Sequence, residues 1–110
     1  MEQQQVQGGS VVLDIGGDIG ALVVHLPDRF AGTEIDISHA GSTRAVGHTG
    51  VHVRAAPDGT RGLTAVYPEL VSGSYQLWDP HQPGRRLGPV VHVEGGLVAQ
   101  LSLLSPAQAR

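Results

Sequence analysis

Residues 11–26 read VVLDIGGDIGALVVHL, three glycines and two aspartates set in otherwise apolar sequence. Three structures use such a pattern: a phosphate-cradling loop, a carboxylate metal loop, or the turn of a β-hairpin. A phosphate loop needs a strand, then glycines, then a helix whose first N–H groups face the anion. Here the glycines lead into ALVVHL, an extended apolar run, and the chain has no lysine for a Walker-type loop. Asp14 and Asp18, with no third acid beside them, fall short of the six to eight oxygens that calcium takes. The hairpin stands. A two-residue turn at Gly17 and Asp18, glycine first as a type II′ turn prefers, would pair Leu13 with Leu22 and Val11 with Val24 and leave one face apolar. Moving the turn back by one residue sets Leu13 against Gly20, a poorer match.

Working outward from this turn, short runs rich in Val, Ile, Leu and Thr alternate with clusters of Gly, Pro and Asp at the spacing of an all-β sandwich or barrel. Strands are expected at 11–16, 19–26, 34–39, 48–55, 63–67, 74–78, 89–93 and 97–103. No long window keeps a 3.6-residue apolar period, and at most 27–31 makes one helical turn. A second hairpin is written in APDGTRG, residues 56–62, where Pro57 sets φ, Asp58 caps with its side chain and Gly59 takes a positive φ. The expected fold is an all-β, antiparallel β-sandwich of seven to eight short strands over residues 11–104. A disordered tail at 1–10 and a short C-terminal tail at 105–110 flank it.

Composition sets the outer limits. A chain of 110 residues is one domain, and its 40% apolar content with 15% charged residues belongs to a folded protein. Without cysteine there is no disulfide framework, thiolate metal site or thiol nucleophile. A net charge of −3 with seven scattered arginines offers no basic stripe for phosphates, so nucleic acid is not an expected partner. No apolar run reaches the length of a spanning helix and residues 1–10 show no leader pattern, so a soluble, cytoplasmic protein without membrane contact is expected. The absence of lysine and asparagine points to a GC-rich, bacterial coding sequence.

The stretch AVYPELVSGSYQLW, residues 65–78, contains an L-x-x-G-x-Y corner made of Leu70, Gly73 and Tyr75, followed by the VVHVEGG and LVAQLSL strands. This half of the chain resembles prealbumin-like sandwiches, among them the carboxypeptidase regulatory-like and Cna-B-like modules. The resemblance implies a β-sandwich in which Tyr75 turns inward beside Leu70 and Leu77 while Gly73 permits a tight corner, and it concerns packing rather than chemistry. The opening is similar to the start of short uncharacterised bacterial proteins. Hydroxyisourate hydrolase, an enzyme on a transthyretin-like sandwich of about this length, ends in Y-R-G-S, whereas this chain ends SPAQAR. Its activity is not carried over.

Six histidines are the most conspicuous chemical feature. His48 and His52 would chelate on a helix, but four strand residues span roughly 13 Å and cannot hold one ion together. A zinc or copper site would need His52 beside His92 from another strand, plus a third ligand, and otherwise these are surface histidines. No serine sits in a G-x-S-x-G elbow, so no nucleophilic catalysis is expected. If Val51 and Val53 point inward, alternation puts His48, His52 and Arg54 outside; if Tyr75 and Leu77 point inward, Gln76 and Trp78 are outside. Were those two strands neighbours, one sheet would show His, Arg, Gln and the only tryptophan, an interface in composition. The alternative is that Trp78 packs under the loop DPHQPGRRLG. The expectation is a non-catalytic binding or accessory module that associates with a protein partner or with itself as a homodimer. The rival is a histidine-based metal protein or metal-dependent enzyme.

Overall fold

The computed structural model describes residues 13–55 and 58–104; the expected tails at 1–10 and 105–110 lie outside them. Seven strands run in chain order: β1 (Ile19–Leu26), β2 (Glu34–His39), β3 (Ala45–Ala55), β4 (Arg61–Val71), β5 (Gly73–Trp78), β6 (Arg86–Val93) and β7 (Val98–Ser102). The single helical turn expected after β1 is a 3-10 turn at Asp28–Phe30, which delivers Phe30 to the core. No helix among the described residues is long and apolar enough to cross a membrane.

All seven strands join one sheet in the order β6-β5-β2-β3-β4-β1-β7, and this sheet folds over along β3. Residues 45–50 of β3 pair with β2, whereas Val51 to Ala55 pair with β4. Two layers result, β6-β5-β2-β3 and β3-β4-β1-β7, and β6 closes toward β1 and β7 in a sandwich that approaches a barrel. Period-two alternation fills the space between them: Leu22, Val24, Ile35, Ile37, Tyr75 and Leu77 are fully or almost fully buried. Each such side chain contributes about 1.5–3 kcal/mol of transfer free energy.

The opening stretch folds as a tight turn, though its neighbours differ from expectation. Gly16 and Ile19 exchange both backbone hydrogen bonds at 2.9 Å around Gly17 and Asp18. Gly17 has φ +60° and no described non-glycine residue, Asp18 included, has a positive φ, which is the type II′ pattern. Among the described residues no hairpin strand precedes the turn: residues 13–15 are not in a strand, and Val11 lies outside the described residues. The expected Leu13–Leu22 pairing is overturned because both edges of β1 are already taken. Leu22 stands opposite Tyr67 of β4 and Ala99 of β7, while Val24 stands opposite Ala65 and Leu101. The sheet is therefore not purely antiparallel either, since β1 and β7 run parallel. The turn at 94–97 carries the chain from one layer to the other, and β7 enters beside β1 in the same direction.

The glycines of this stretch serve that crossing. Gly96 N–H donates to Ile19 O at 2.8 Å, Ala21 N–H to Leu97 O at 3.1 Å, and Ser72 N–H to Asp18 O at 2.8 Å. A Cβ on Gly20 would stand 2.2 Å from Glu94 O, and one on Gly95 would stand 2.1 Å from Gly17 O. Two backbones meet here at a separation that only glycine permits.

The L-x-x-G-x-Y corner closes through its leucine and tyrosine, whereas Gly73 has no positive φ and a Cβ there would meet only ordinary contacts, so the corner does not depend on the glycine as expected. Tyr75 is buried, Leu70 packs against the core, and Tyr75 Oη donates back to Val71 O at 2.6 Å. This is a tyrosine corner, in which a phenol ties the chain to a carbonyl just upstream. In the second hairpin, Asp58 Oδ1 accepts from Thr60 N–H at 3.0 Å and Thr60 Oγ1 at 2.7 Å, while Gly59 has φ +89°; Pro57 lies outside the described residues.

Candidate functional site

Trp78 ends β5 on the outer face of the β6-β5-β2-β3 layer. Leu77 faces Ile37 in the core, so Gln76 and Trp78 turn outward, as does Ser38, which stands opposite Gln76. Along β2 the sequence EIDISH sends Ile35 and Ile37 inward and Glu34, Asp36 and Ser38 outward. His48 stands opposite Asp36, and its Nδ1 lies 3.0 Å from Glu34 Oε1, an ion pair when the imidazole is protonated.

This outer face is partly roofed by residues 40–44, which turn back over their own strand. Ala40 N–H donates to Ser74 O at 2.9 Å and Ser42 N–H to His39 O at 3.0 Å. Ser38 is completely buried beneath them: its hydroxyl donates to Ser42 O at 2.7 Å and accepts from Trp78 Nε1 at 2.9 Å. The indole is thus fixed at its polar end while remaining half-exposed. Gln76, expected at the surface, is instead buried, because Nε2 donates to Gly88 O at 3.2 Å and Leu77 O at 3.1 Å.

Trp78 forms the wall shared by two openings. The larger, about 440 Å³, is lined by Glu34, Asp36 and Asp79 together with Thr43, Pro80 and Pro83. The smaller, about 190 Å³, lies toward Gln76, Arg86 and Val90. Three acidic residues therefore line one opening beside the indole, and Arg86 lines the other. Asp79 Oδ1 is partly engaged by His81 N–H at 2.8 Å, which fixes the carboxylate at the start of the loop. The charge on Asp36 is felt through the sheet: burial and then this carboxylate push the Tyr67 hydroxyl well above its ordinary range.

The expected mixed face splits in two. Trp78, Gln76 and His48 share the β6-β5-β2-β3 layer, with β2 lying between β5 and β3. His52 and Arg54 belong to the half of β3 that pairs with β4, so they sit on the other layer. The ring of His52 folds against Gly50, with Nε2 2.9 Å from where a Cβ would stand. Arg54 is drawn inward: Nη1 donates to Thr64 O at 2.7 Å and Thr64 Oγ1 at 2.8 Å, Nε is buried without a partner, and burial lowers its pKa. It is not available as a surface anchor. His92 lies on β6 opposite Ser74, three strand spacings or about 14 Å from β3, so His52 and His92 cannot share an ion. Among the described residues, no group of three His, Asp or Glu is placed to hold a metal.

Of the residues on this face, the sequence singled out Trp78, Gln76 and His48 and did not single out Glu34, Asp36, Ser38 and Asp79. The alternation in EIDISH already turned the first three outward; what it could not reveal was that β2 lies beside β5. No protein-family model, curated protein or solved structure matches the chain.

Proposed function

We propose that the protein is a non-catalytic binding or accessory module of prealbumin-like type, which associates with a protein partner through the outer face of the β6-β5-β2-β3 layer. The observation that carries this reading is Trp78, a half-exposed indole locked by Ser38 at the junction of two openings. Large side chains pre-oriented before binding cost little entropy when a partner orders against them, and tryptophan is among the residues that dominate interface energetics. The inward packing of Leu70 and Tyr75 supports the prealbumin-like assignment, since both side chains lie as the resemblance implies. The geometry around His52 and His92 gives the metal-binding alternative no support.

Affinity capture from a lysate of the source organism with wild type, Trp78→Ala and Val98→Ser tests the reading. Val98 lies on the opposite layer and serves as the control. A partner retained by wild type and Val98→Ser but lost by Trp78→Ala supports it, and capture that ignores Trp78 overturns it. A homodimer is the form of this reading in which the partner is a second copy. Light scattering decides that form, with a concentration-dependent doubling of mass in its favour and a constant monomer mass against it.

A further inference from the structure

We propose that the larger opening beside Trp78 receives a basic side chain, arginine or lysine, from an extended segment of the partner protein. This deepens the binding-module reading and rests on it. Among the described residues, the lining carries Glu34, Asp36 and Asp79 and no Arg, Lys or His. Among the described residues the Asp36 carboxylate makes no hydrogen bond or ion pair, and the one ion pair at Glu34 is to an imidazole, His48. Negative charge therefore converges on the opening without a permanent internal cation.

The wall of that opening is an indole, the aromatic surface on which a cation gains most. Among the described residues, the cation already placed over an aromatic ring is Arg29, 4.5 Å from the centre of Phe30, and Trp78 has no such neighbour. Its ring is held by the bond from Nε1 to Ser38 Oγ, and Ser38 is held in turn by Ser42 O. A guanidinium or ammonium entering here would meet carboxylate acceptors on one side and a fixed π surface on the other.

The second opening decides for an extended segment over a compact amine. Trp78 lines both, and the smaller one bears Arg86, Gln76 and Val90. A chain that seats its basic residue against Trp78 continues across the indole to a site suited to an acidic or amide side chain. The protein carries net charge −3, so a partner of opposite sign is favoured over a second copy.

Trp78 is the only tryptophan, so its emission reports on the opening directly. The probe is a short glycine-serine peptide with one central arginine, alongside counterparts carrying lysine, citrulline or glutamate at that position. The arginine and lysine peptides should shift Trp78 emission saturably, roughly tenfold more tightly than the uncharged citrulline peptide, and weaken with added salt. Glu34→Gln with Asp36→Asn, both at exposed positions, should remove that tenfold advantage and leave the citrulline peptide unchanged. Equal binding of citrulline and arginine, preference for glutamate, or no response to any peptide overturns the proposal. If a host partner depends on Trp78 yet is not displaced by the arginine peptide, the basic-residue proposal fails while the binding face stands. If capture ignores Trp78, the face itself fails. Emission that responds only to protein concentration, with a doubled mass, replaces the basic segment by a second copy.

Discussion

Two buried phenols do different work in this core. Tyr75 closes the corner before β5 through its bond to Val71 O, so Tyr75→Phe should cost about 1 kcal/mol, the net value of one hydrogen bond. Tyr75→Ala should cost roughly 3–5 kcal/mol, because the ring also fills the core. Urea unfolding of both variants checks the ratio, and near-equal losses would mean the ring matters little. Tyr67 donates to Ile35 O, and burial plus the Asp36 carboxylate raise its pKa above the ordinary 10.0. A raised pKa means that the folded state holds the proton more tightly, so the stabilisation is complete below pH 10.0 and is lost as pH rises beyond it. The unfolding free energy of wild type, measured by urea denaturation, should therefore fall above pH 10.0 by about 1.4 kcal/mol per pH unit from this group. Tyr67→Phe should flatten that slope, and an unchanged slope would assign the alkaline loss elsewhere.

At the scale of elements, the turn at 16–19 and the turn at 94–97 act as a pair. Gly20 and Gly95 bring backbone against backbone, whereas a Cβ on Gly17 would meet open space and only its φ of +60° resists substitution. Gly17→Val should thus cost about 1–2 kcal/mol from conformational strain alone. Gly95→Ala must also separate the two turns, and should exceed 1 kcal/mol despite adding a single methyl group. Urea midpoints measure both, and a neutral Gly95→Ala would remove the close approach as the reason for that glycine. Strand β4 shows a related economy. It runs through Pro68, although proline lacks a ladder donor, because the register with β1 slips between Gly20 and Leu22 and leaves the proline at a bulge. The expected end at Tyr67 falls short for that reason. On β6, Gly88 at φ +74° and the following Pro89 interrupt the outer edge, which is one way a sheet discourages edge-to-edge growth.

Over the whole molecule, β3 belongs to both layers, so neither layer is complete without the other. Unfolding should be a single cooperative transition: Trp78 emission, which reports the β6-β5-β2-β3 layer, should coincide with far-ultraviolet circular dichroism, which reports all strands. Separated midpoints would show that the layers unfold independently. The same sharing of β3 distributes the candidate interface residues. His48 and His52 alternate outward from one strand as expected, yet the fold between them carries them to different surfaces.

Much of the local structure could be read from residue order. Gly17-Asp18 as a type II′ turn, β1 and β2 with their bounds and the 3-10 turn all follow from alternation, turn chemistry and φ preference, which act over a few residues, while the inward Tyr75 was implied by the resemblance of residues 65–78. The partners of each strand do not follow, because a strand has two edges and its apolar face matches several others equally well. Leu22 suited Leu13 by pattern, and only the assembled sheet, with β4 and β7 on either side of β1, excluded that pairing. The candidate site divides the same way. Alternation turned Trp78 and Asp36 outward from their own strands, but only the insertion of β2 beside β5, and the fold-back of residues 40–44, brought an indole and three acidic residues to one opening.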